Sequence, residues 1–364
     1  MFIPIIFSNV AVTDKNKLCI GKSEYIKNNS LALPVFFLLL FLLLACRNIK
    51  IGNDTWTYRY FFRALSNANI KDILGGELEV GFSIMTWLIG QVTDNYQIYL
   101  ALCSALIVIP ISNLYKEDNR HIMLKISVFL NMSTFVMMFS GIRQAIAIAL
   151  GALAYKYVKK KKLWKFLIVT VVAMGMHHSA FMILFMYPLY YARFERKHLV
   201  FTMLAIMLCF IYNKKIFSLL TGVLAMFSTE YEDVSTTTTG AFTSLIMFVG
   251  FTAFSYIITD EKIMDQEGKG LRNFLLLTVV LQCFAPLHTL SMRMNYYYII
   301  FIPVAISKML DYSKIRMKKL STQAEIVMVL FFSIWFVYGI YNSYITGIST
   351  LNTVPYVPFW KGNQ

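Results

Sequence analysis

The sequence has none of the short motifs with which enzymes commonly bind nucleotides or catalytic metals. It contains no P-loop, no GxGxxG, no HExxH and no DxD-type acidic pair. Nucleotide-sugar or ATP chemistry is therefore not indicated. Cysteine is also scarce, because the five cysteines show no CxxC pairing and four of them lie in apolar runs. Neither a disulfide framework nor a metal site is predicted.

Acidic residues are few, with 19 Asp and Glu against 34 Lys and Arg and a formal net charge of +15. In a soluble protein this excess would suggest a nucleic-acid partner. Here most of the basic residues lie in six short loops: 14–30, 116–125, 156–165, 193–197, 260–272 and 308–319. Cationic loops stay on the cytoplasmic side of a membrane, so the distribution predicts orientation and no nucleic-acid binding.

Hydrophobic length is what the sequence has in excess. A hydrophobic content of 58%, a mean hydropathy of +0.60 and apolar runs between short charged loops predict an all-α, polytopic integral membrane protein. We predict about 10–13 transmembrane helices in a single transmembrane domain, 1–364. Polar outer loops at 47–80 and 214–240 are expected to lie over a site.

Several apolar runs are predicted to be spans. They are 31–46, 96–115, 122–140, 142–158, 199–213, 241–259, 273–290, 296–310 and 323–345. Segments 1–13 and 81–93 are too short, and 81–93 is predicted to be re-entrant or interfacial. Segments 163–176 and 178–192 form a hairpin that is also too short for two crossings. Its apex would lie partway into the membrane, beside a wet cavity.

Four polar patches interrupt the apolar background, at 47–60, 141–144, 176–179 and 292–296. Ionisable groups at membrane depth are costly and usually functional. We therefore predict that the four patches converge on one site at the outer face of a membrane.

Three arginines in these patches are candidates for binding phosphate, because the guanidinium fork binds two oxygens at once. Arg143 is followed by a long apolar run, so it needs an anion or a wet cavity, unless it caps a helix or snorkels. Arg293 precedes three tyrosines, which an interfacial aromatic belt also explains. Arg47 flanks a span, which is a common place for arginine.

Acid–base chemistry has three candidates. Asp54 is a carboxylate that would take a proton from a sugar hydroxyl, or it caps the helix that follows. His177 and His178 point about 100° apart if helical, so they do not jointly chelate a metal. A neutral imidazole at a hairpin apex suits a general base, although a buried histidine is often only a hydrogen-bonded core residue.

The polar patches, taken in order, resemble the EpsG-like branch of the Wzy-type polysaccharide polymerases over about residues 31–310. The matching residues are Arg47, Gly52-x-Asp54-Thr55-x-x-Tyr58, Glu79-x-Gly81-Phe82, Ile142-Arg143-Gln144-x-x-Ala147, His177-x-Ser179-Ala180 and Arg293 with Tyr297. The tail residues Pro355 and Tyr356 are also similar to that family. The N-terminus departs from it, because 1–13 stands where the family usually has a full first span.

This resemblance implies a glycosyltransferase of GT-C-like architecture, with re-entrant or broken helices, in the bacterial cytoplasmic (inner) membrane. Its site would face the periplasm or exterior. Such polymerases transfer a growing glycan from undecaprenyl diphosphate to the non-reducing end of the next lipid-linked repeat unit, building O-antigen, lipopolysaccharide or capsule. Inversion at the anomeric carbon, with no metal or other cofactor, is implied. The implied partners are the lipid bilayer, a flippase and a chain-length regulator.

The resemblance also implies roles for individual residues. Arg143 and Arg293 would hold the donor diphosphate with help from Arg47, and His177 or Asp54 would take the acceptor proton. The implied sugar or acceptor contacts are Tyr58, Gln144, Tyr297 and His178. The tyrosine and tryptophan residues at 56–60 would stack on sugar faces or form an interface girdle.

Two other functions use a similar site. A flippase or exporter of the same lipid would also need cationic groups, but such transporters show internal repeats, and none is evident here. An O-antigen ligase shares the donor and the topology, but a larger late outer loop than 214–240 would be expected.

Overall fold

The computed structural model describes residues 31–194, 199–225 and 240–361, and within these ranges it contains α-helices and no β-strand. The α-helices are α1 Ala32–Ala45, α2 Thr55–Ser66, α3 Ile70–Gly75, α4 Val80–Gly90, α5 Tyr96–Lys116, α6 Ile122–Leu130, α7 Ser133–Met137, α8 Ile142–Lys159, α9 Leu163–Met176, α10 Met186–Tyr191, α11 Leu199–Ile211, α12 Asn213–Ala225, α13 Gly240–Ile258, α14 Gln266–Gln282, α15 Thr289–Ile299, α16 Ile302–Asp311 and α17 Lys318–Thr346. Three 3₁₀ helices lie at His178–Phe185, Ile315–Met317 and Thr350–Asn352. The predicted all-α, polytopic fold is confirmed.

Three described helices are long and apolar enough to cross a bilayer: Tyr96–Lys116, Ala241–Ile258 and Ile315–Thr346. A fourth crossing results if α11 and α12, which meet at a 78° bend, act as one broken span. Most other helices are shorter than the roughly 20 residues of a full crossing. The predicted count of 10–13 spans stays a prediction, as does the single domain. Segment 1–13 lies outside the described residues.

Three runs that the sequence predicts as continuous spans are broken in the structure. In the run 273–290, α14 ends at Gln282 and α15 begins only at Thr289. The run 122–140 divides into α6 and α7 at Asn131, whose amide nitrogen donates to the carbonyls of Ser127 and Phe332, each at 2.8 Å. The run 296–310 divides into α15 and α16 just before Pro303. Proline fits only the first turn of a helix, where its missing N–H is not needed, so a new helix begins there.

The predicted outer loop 214–240 is wrong in its first part, because residues 214–225 belong to helix α12. Lys214 and Lys215 suggested a loop, but they stand in the first turn of an amphipathic helix that continues with apolar residues. The segment 226–239, including the threonine run, lies outside the described residues. Segment 81–93 forms the 11-residue helix α4, which is too short to cross.

The basic loops meet at one end of the bundle. Lys159, at the end of α8, forms ion pairs with Glu117 and, at 3.0 Å, with Glu267. Lys308 of α16 reaches the same Glu267 carboxylate at 3.3 Å. Four of the predicted basic loops are thereby joined at one end, as they would be if they shared one side of a membrane.

A histidine at this basic end should make stability depend on pH. His121 lies 3.3 Å from Asp311 and 2.8 Å from Glu325. Burial favours the neutral imidazole, but the hydrogen bonds to both carboxylates outweigh it and raise the pKa of His121 to about 9. The resulting stabilisation, roughly 3 kcal/mol at most, is complete below the ordinary pKa and is lost as pH rises through about 9. We expect the melting temperature in nanodiscs to fall over that interval. The same slope in a His121→Gln variant would contradict this account.

The C-terminal segment packs against the opposite end of the bundle. The Asn48 N–H donates to the Val357 carbonyl at 2.9 Å, and the Phe359 N–H donates to the Cys46 carbonyl at 2.9 Å. Since Arg143 and Lys159 stand at opposite ends of α8, about 24 Å apart at 1.5 Å per residue, the bundle has two distinct ends. The polar patches collect at the end that the tail covers.

Candidate functional site

The first turn of α8 carries the centre of the site. Gly141 is the N-cap of α8, and the guanidinium of Arg143, the second residue of the helix, forms an ion pair with Glu79. Glu79 is the N-cap of α4, only 4% exposed, and its second oxygen accepts from the backbone N–H of His178 at 3.2 Å. One buried carboxylate therefore joins α8, α4 and the connection after α9.

Glu79 reaches this position because α4 and α9 touch backbone to backbone. A Cβ atom at Gly81 would lie 2.7 Å from the carbonyl oxygen of Gly175. Only glycine permits this approach, since real Cβ contacts are never that short. The absence of a side chain at Gly81 therefore allows the Glu79 carboxylate to lie next to the histidine pair.

Substitution of Gly81 by alanine is expected to separate α4 from α9 and to lower the free energy of unfolding by about 1–3 kcal/mol, because backbone lies on both sides of the contact. Gly75→Ala is the matched control, since a Cβ there meets nothing within 4 Å. The measurement is the melting temperature of both variants in nanodiscs. Equal melting temperatures would show that this contact is not tight in the protein.

His177 caps the 3₁₀ helix that follows α9. Its Nδ1 accepts from the Ser179 N–H at 3.2 Å and lies 2.8 Å from the Ser179 hydroxyl, which in turn lies 3.1 Å from the Tyr297 hydroxyl. An imidazole that accepts at Nδ1 carries its proton on Nε2. His177 is therefore held in one orientation, with an N–H available to an anion.

Gln144 ties α15 to this cluster. Its amide nitrogen donates to the backbone carbonyl of Arg293 at 2.8 Å and to the Ser179 hydroxyl at 3.3 Å. The Arg293 side chain is exposed. The predicted convergence of the patches around 143, 177 and 293 is thus seen in the contacts that join them.

The charges of this cluster act on one another. His177 lies in a connection outside the candidate spans, and burial lowers its pKa to about 4, with Arg143 and Arg293 adding to the effect and Glu79 opposing it. Burial favours protonation of Glu79, but the Arg143 charge outweighs it and keeps the pKa of that carboxyl below its usual value. At neutral pH the site holds two arginines, a neutral imidazole and one carboxylate.

Tyr58 and Phe82 surround the Arg143 side chain. Tyr58 is 5% exposed and lies near enough to interact electrostatically with the guanidinium. The Phe82 ring centre lies 6.0 Å from the Arg143 guanidinium carbon, within reach of a cation–π contact. Tyr58 belongs to the Gly52–Tyr58 motif and Phe82 to the Glu79–Phe82 motif, so two motifs that are separate in the sequence meet at the Arg143 side chain.

Asp54 stands at the N-cap of α2 but makes no capping hydrogen bond with its side chain. Its carboxylate accepts instead from the Ser140 hydroxyl at 3.0 Å. Its backbone N–H donates to the Ser140 hydroxyl oxygen at 3.2 Å. Gly52, with φ +88°, permits this, because a Cβ there would lie 2.0 Å from the Phe139 carbonyl oxygen. Asp54 is exposed and lies against the chain that leads into α8.

Arg47 is placed differently from the other two arginines. Its side chain is 1% exposed, and its guanidinium donates to the Leu44 carbonyl. Its charge acts chiefly on Tyr96, Cys103 and Tyr356, in α5 and the tail. No described hydrogen bond or ion pair links Arg47 to Arg143 or Arg293. Its assistance with a diphosphate stays a prediction.

The roles predicted for the remaining residues also stay predictions. Gln144 and Tyr297 are buried and hydrogen-bonded to protein groups, whereas His178 is exposed. Glu79 was given no role from the sequence, although it belongs to one of the matching motifs. The available signal was its acidity in a chain with few acids, directly before an apolar helix.

Comparison with curated proteins and with solved structures finds no match. The EpsG family, however, matches the chain over residues 30–357. This range contains all the residues of the site described above and most of the chain. Together with the apolar helices, it supports a membrane-embedded protein of polysaccharide-polymerase type. The chain belongs to the EpsG family.

Proposed function

We propose that the protein polymerises a bacterial polysaccharide by transferring the growing glycan from undecaprenyl diphosphate to the non-reducing end of the next lipid-linked unit. Its family supports a glycosyltransferase-like polymerase. The observation that carries the finer proposal is a pair of connections in one cluster. Glu79 links the Arg143 guanidinium to the His178 backbone, and Ser179 and Gln144 link the His177 ring to the Arg293 backbone carbonyl. This constellation suits an anionic, lipid-linked donor.

The donor diphosphate is assigned to Arg143 and Arg293. The Arg293 guanidinium is exposed and makes no hydrogen bond or ion pair within the described ranges, and Arg143 is 26% exposed. Two guanidinium groups can neutralise the charge that develops on the diphosphate as the anomeric bond breaks. The His177 Nε2–H is an additional donor to the same group. This chemistry is proposed to proceed without a metal.

The acceptor hydroxyl must lose a proton as its oxygen attacks the anomeric carbon. The C–O bond to the diphosphate then breaks, the electron pair leaves with the lipid diphosphate, and the proton passes to Asp54 or His177. Asp54 fits this role as it stands, because its carboxylate is exposed and oriented by Ser140. His177 fits once it releases Ser179, since its Nδ1 is occupied. Attack opposite the leaving group inverts the anomeric carbon.

The proposed orientation places the site on the periplasmic or outer side of the cytoplasmic membrane. Its support is the separation of the site from the joined basic loops at the far end of α8. A lipid-linked repeat delivered by a flippase would meet the site there. A chain-length regulator is the proposed protein partner, and undecaprenyl diphosphate within the bilayer is the proposed carrier.

The test is the glycan ladder of cells that lack the gene. Loss of long chains with single capped repeats still at the surface identifies a polymerase, whereas loss of all surface repeats identifies a flippase or a ligase. Complementation with Asp54→Asn is expected to leave the ladder missing, and Asp72→Asn, an exposed acid of the same outer segment, is the matched control. A normal ladder with Asp54→Asn transfers the proton-accepting role to His177.

A further inference from the structure

We propose that Glu79 is the resident anion of the donor site: it holds the Arg143 guanidinium while the site is empty, and the donor diphosphate displaces it. This inference rests on the proposed function, because it takes Arg143 as a ligand of the diphosphate. It assigns Glu79 a positioning role that sets which anions the site accepts.

The contact between Glu79 and Arg143 is suited to exchange. Only one terminal nitrogen of Arg143 meets the carboxylate, and the buried Nε has no hydrogen-bond partner. A bidentate pair would use two nitrogens and would be stronger. The Arg143 side chain is 26% exposed whereas the Glu79 side chain is 3% exposed, so the cation is open to an incoming ligand and the carboxylate is not.

The balance of charge favours displacement by a diphosphate. Two cations, Arg143 and Arg293, act on His177. Without a bound donor, Glu79 offsets the charge of one of them. Without Glu79 the Arg143 guanidinium would lose its only ion-pair partner among the described residues, while the Arg293 charge stayed in the same cluster. A bound diphosphate supplies enough negative charge for both arginines, and Glu79 then becomes a like charge beside it. The backbone N–H of His178 still holds one oxygen of the freed carboxylate, and the other oxygen loses the Arg143 contact.

Exchange of this kind predicts selectivity between carriers. An undecaprenyl monophosphate offers fewer charges and oxygens than a diphosphate, so it competes less well with a carboxylate that is already in place. Glu79 would therefore discriminate against monophosphate lipids, which share the same membrane and the same hydrocarbon chain. The specificity is obtained by making the wrong ligand unable to displace the resident anion.

The experiment measures binding of undecaprenyl diphosphate and undecaprenyl monophosphate to the full chain in nanodiscs. Glu79→Gln is expected to bind the diphosphate roughly tenfold more tightly, the weight of one charge-assisted hydrogen bond, and to lose selectivity against the monophosphate. The shorter side chain of Glu79→Asp reaches Arg143 less well, so its affinity for the diphosphate should lie between those of the natural protein and Glu79→Gln. The matched control is Glu267→Gln, which removes an acid that pairs with lysines at the basic end and should leave both affinities unchanged.

Different outcomes overturn different statements. If Glu79→Gln and Glu79→Asp fold normally and bind undecaprenyl diphosphate no more tightly than the natural protein, Glu79 is a fixed structural group and this inference fails. The double variant Arg143→Gln with Glu79→Gln leaves no buried charge without its partner. If that neutral pair binds the diphosphate as well as the natural protein does, the donor site itself is misassigned and the proposed function loses its central support.

Discussion

Replacing Arg143 with alanine is expected to abolish long glycan chains and to lower the free energy of unfolding by about 3 kcal/mol. The first effect follows from loss of a diphosphate ligand. The second follows because Glu79, whose side chain is 3% exposed, keeps its charge but loses its ion-pair partner. The measurements are the glycan ladder in complemented cells and the melting temperature of the purified protein in nanodiscs.

A neutral pair separates these two effects. Arg143→Gln combined with Glu79→Gln removes both charges, so its melting temperature should return close to that of the natural protein while long chains stay absent. The outcome that contradicts the account is a normal ladder from Arg143→Ala at natural protein levels. In that case Arg143 would serve only to hold the fold together.

Replacing Arg293 with alanine is expected to abolish long chains without a change in stability. Its side chain is exposed, and its guanidinium makes no hydrogen bond or ion pair within the described part of the chain. Truncation of such a surface residue normally changes the free energy of unfolding by no more than about 0.5 kcal/mol. The backbone carbonyl that receives Gln144 is unaffected by the substitution. The same ladder and melting measurements apply.

Arg63→Ala is the matched control for Arg293, because it is an exposed arginine of α2 at the same end of the bundle that belongs to no described contact of the cluster. It should leave both the ladder and the melting temperature unchanged. A normal ladder from Arg293→Ala, or an equal loss from both variants, would remove Arg293 from the donor site.

The parts of the fold that the sequence predicts well are those set by local patterning. The two apolar segments expected at 142–158 and 163–176 are helices α8 and α9, and both are found within one residue of those bounds. Apolar runs on both sides of the Lys159–Lys162 cluster leave few alternatives, since the lysines must stay in water.

The breaks inside apolar runs were not predictable in the same way. Two sequences that read as continuous helix are broken. One contains the 3₁₀ helix His178–Phe185, and the other ends its first helix before Asn131. Asn131 is accommodated by the Phe332 carbonyl, which is distant in the chain. Periodicity reports which residues avoid water, but a hydrogen bond between segments this far apart decides where a helix ends.

The site was predicted in part. Clustering of 143, 177 and 293 follows from the cost of placing polar groups at membrane depth, and the structure joins these positions. The Glu79–Arg143 pair did not follow, because it depends on the approach of Gly81 to Gly175, a contact that no local pattern encodes. The sequence therefore indicated which positions lie close together, and the fold revealed which anion Arg143 holds.

The most direct measurement is a cryo-electron microscopy structure of the full chain in nanodiscs with undecaprenyl diphosphate. The account predicts that the diphosphate lies between the Arg143 and Arg293 guanidinium groups, with the Glu79 carboxylate turned away from Arg143 and still bound by the His178 N–H. A diphosphate bound instead among the lysines at the far end of α8, or Arg143 and Arg293 facing separate compartments, would contradict it.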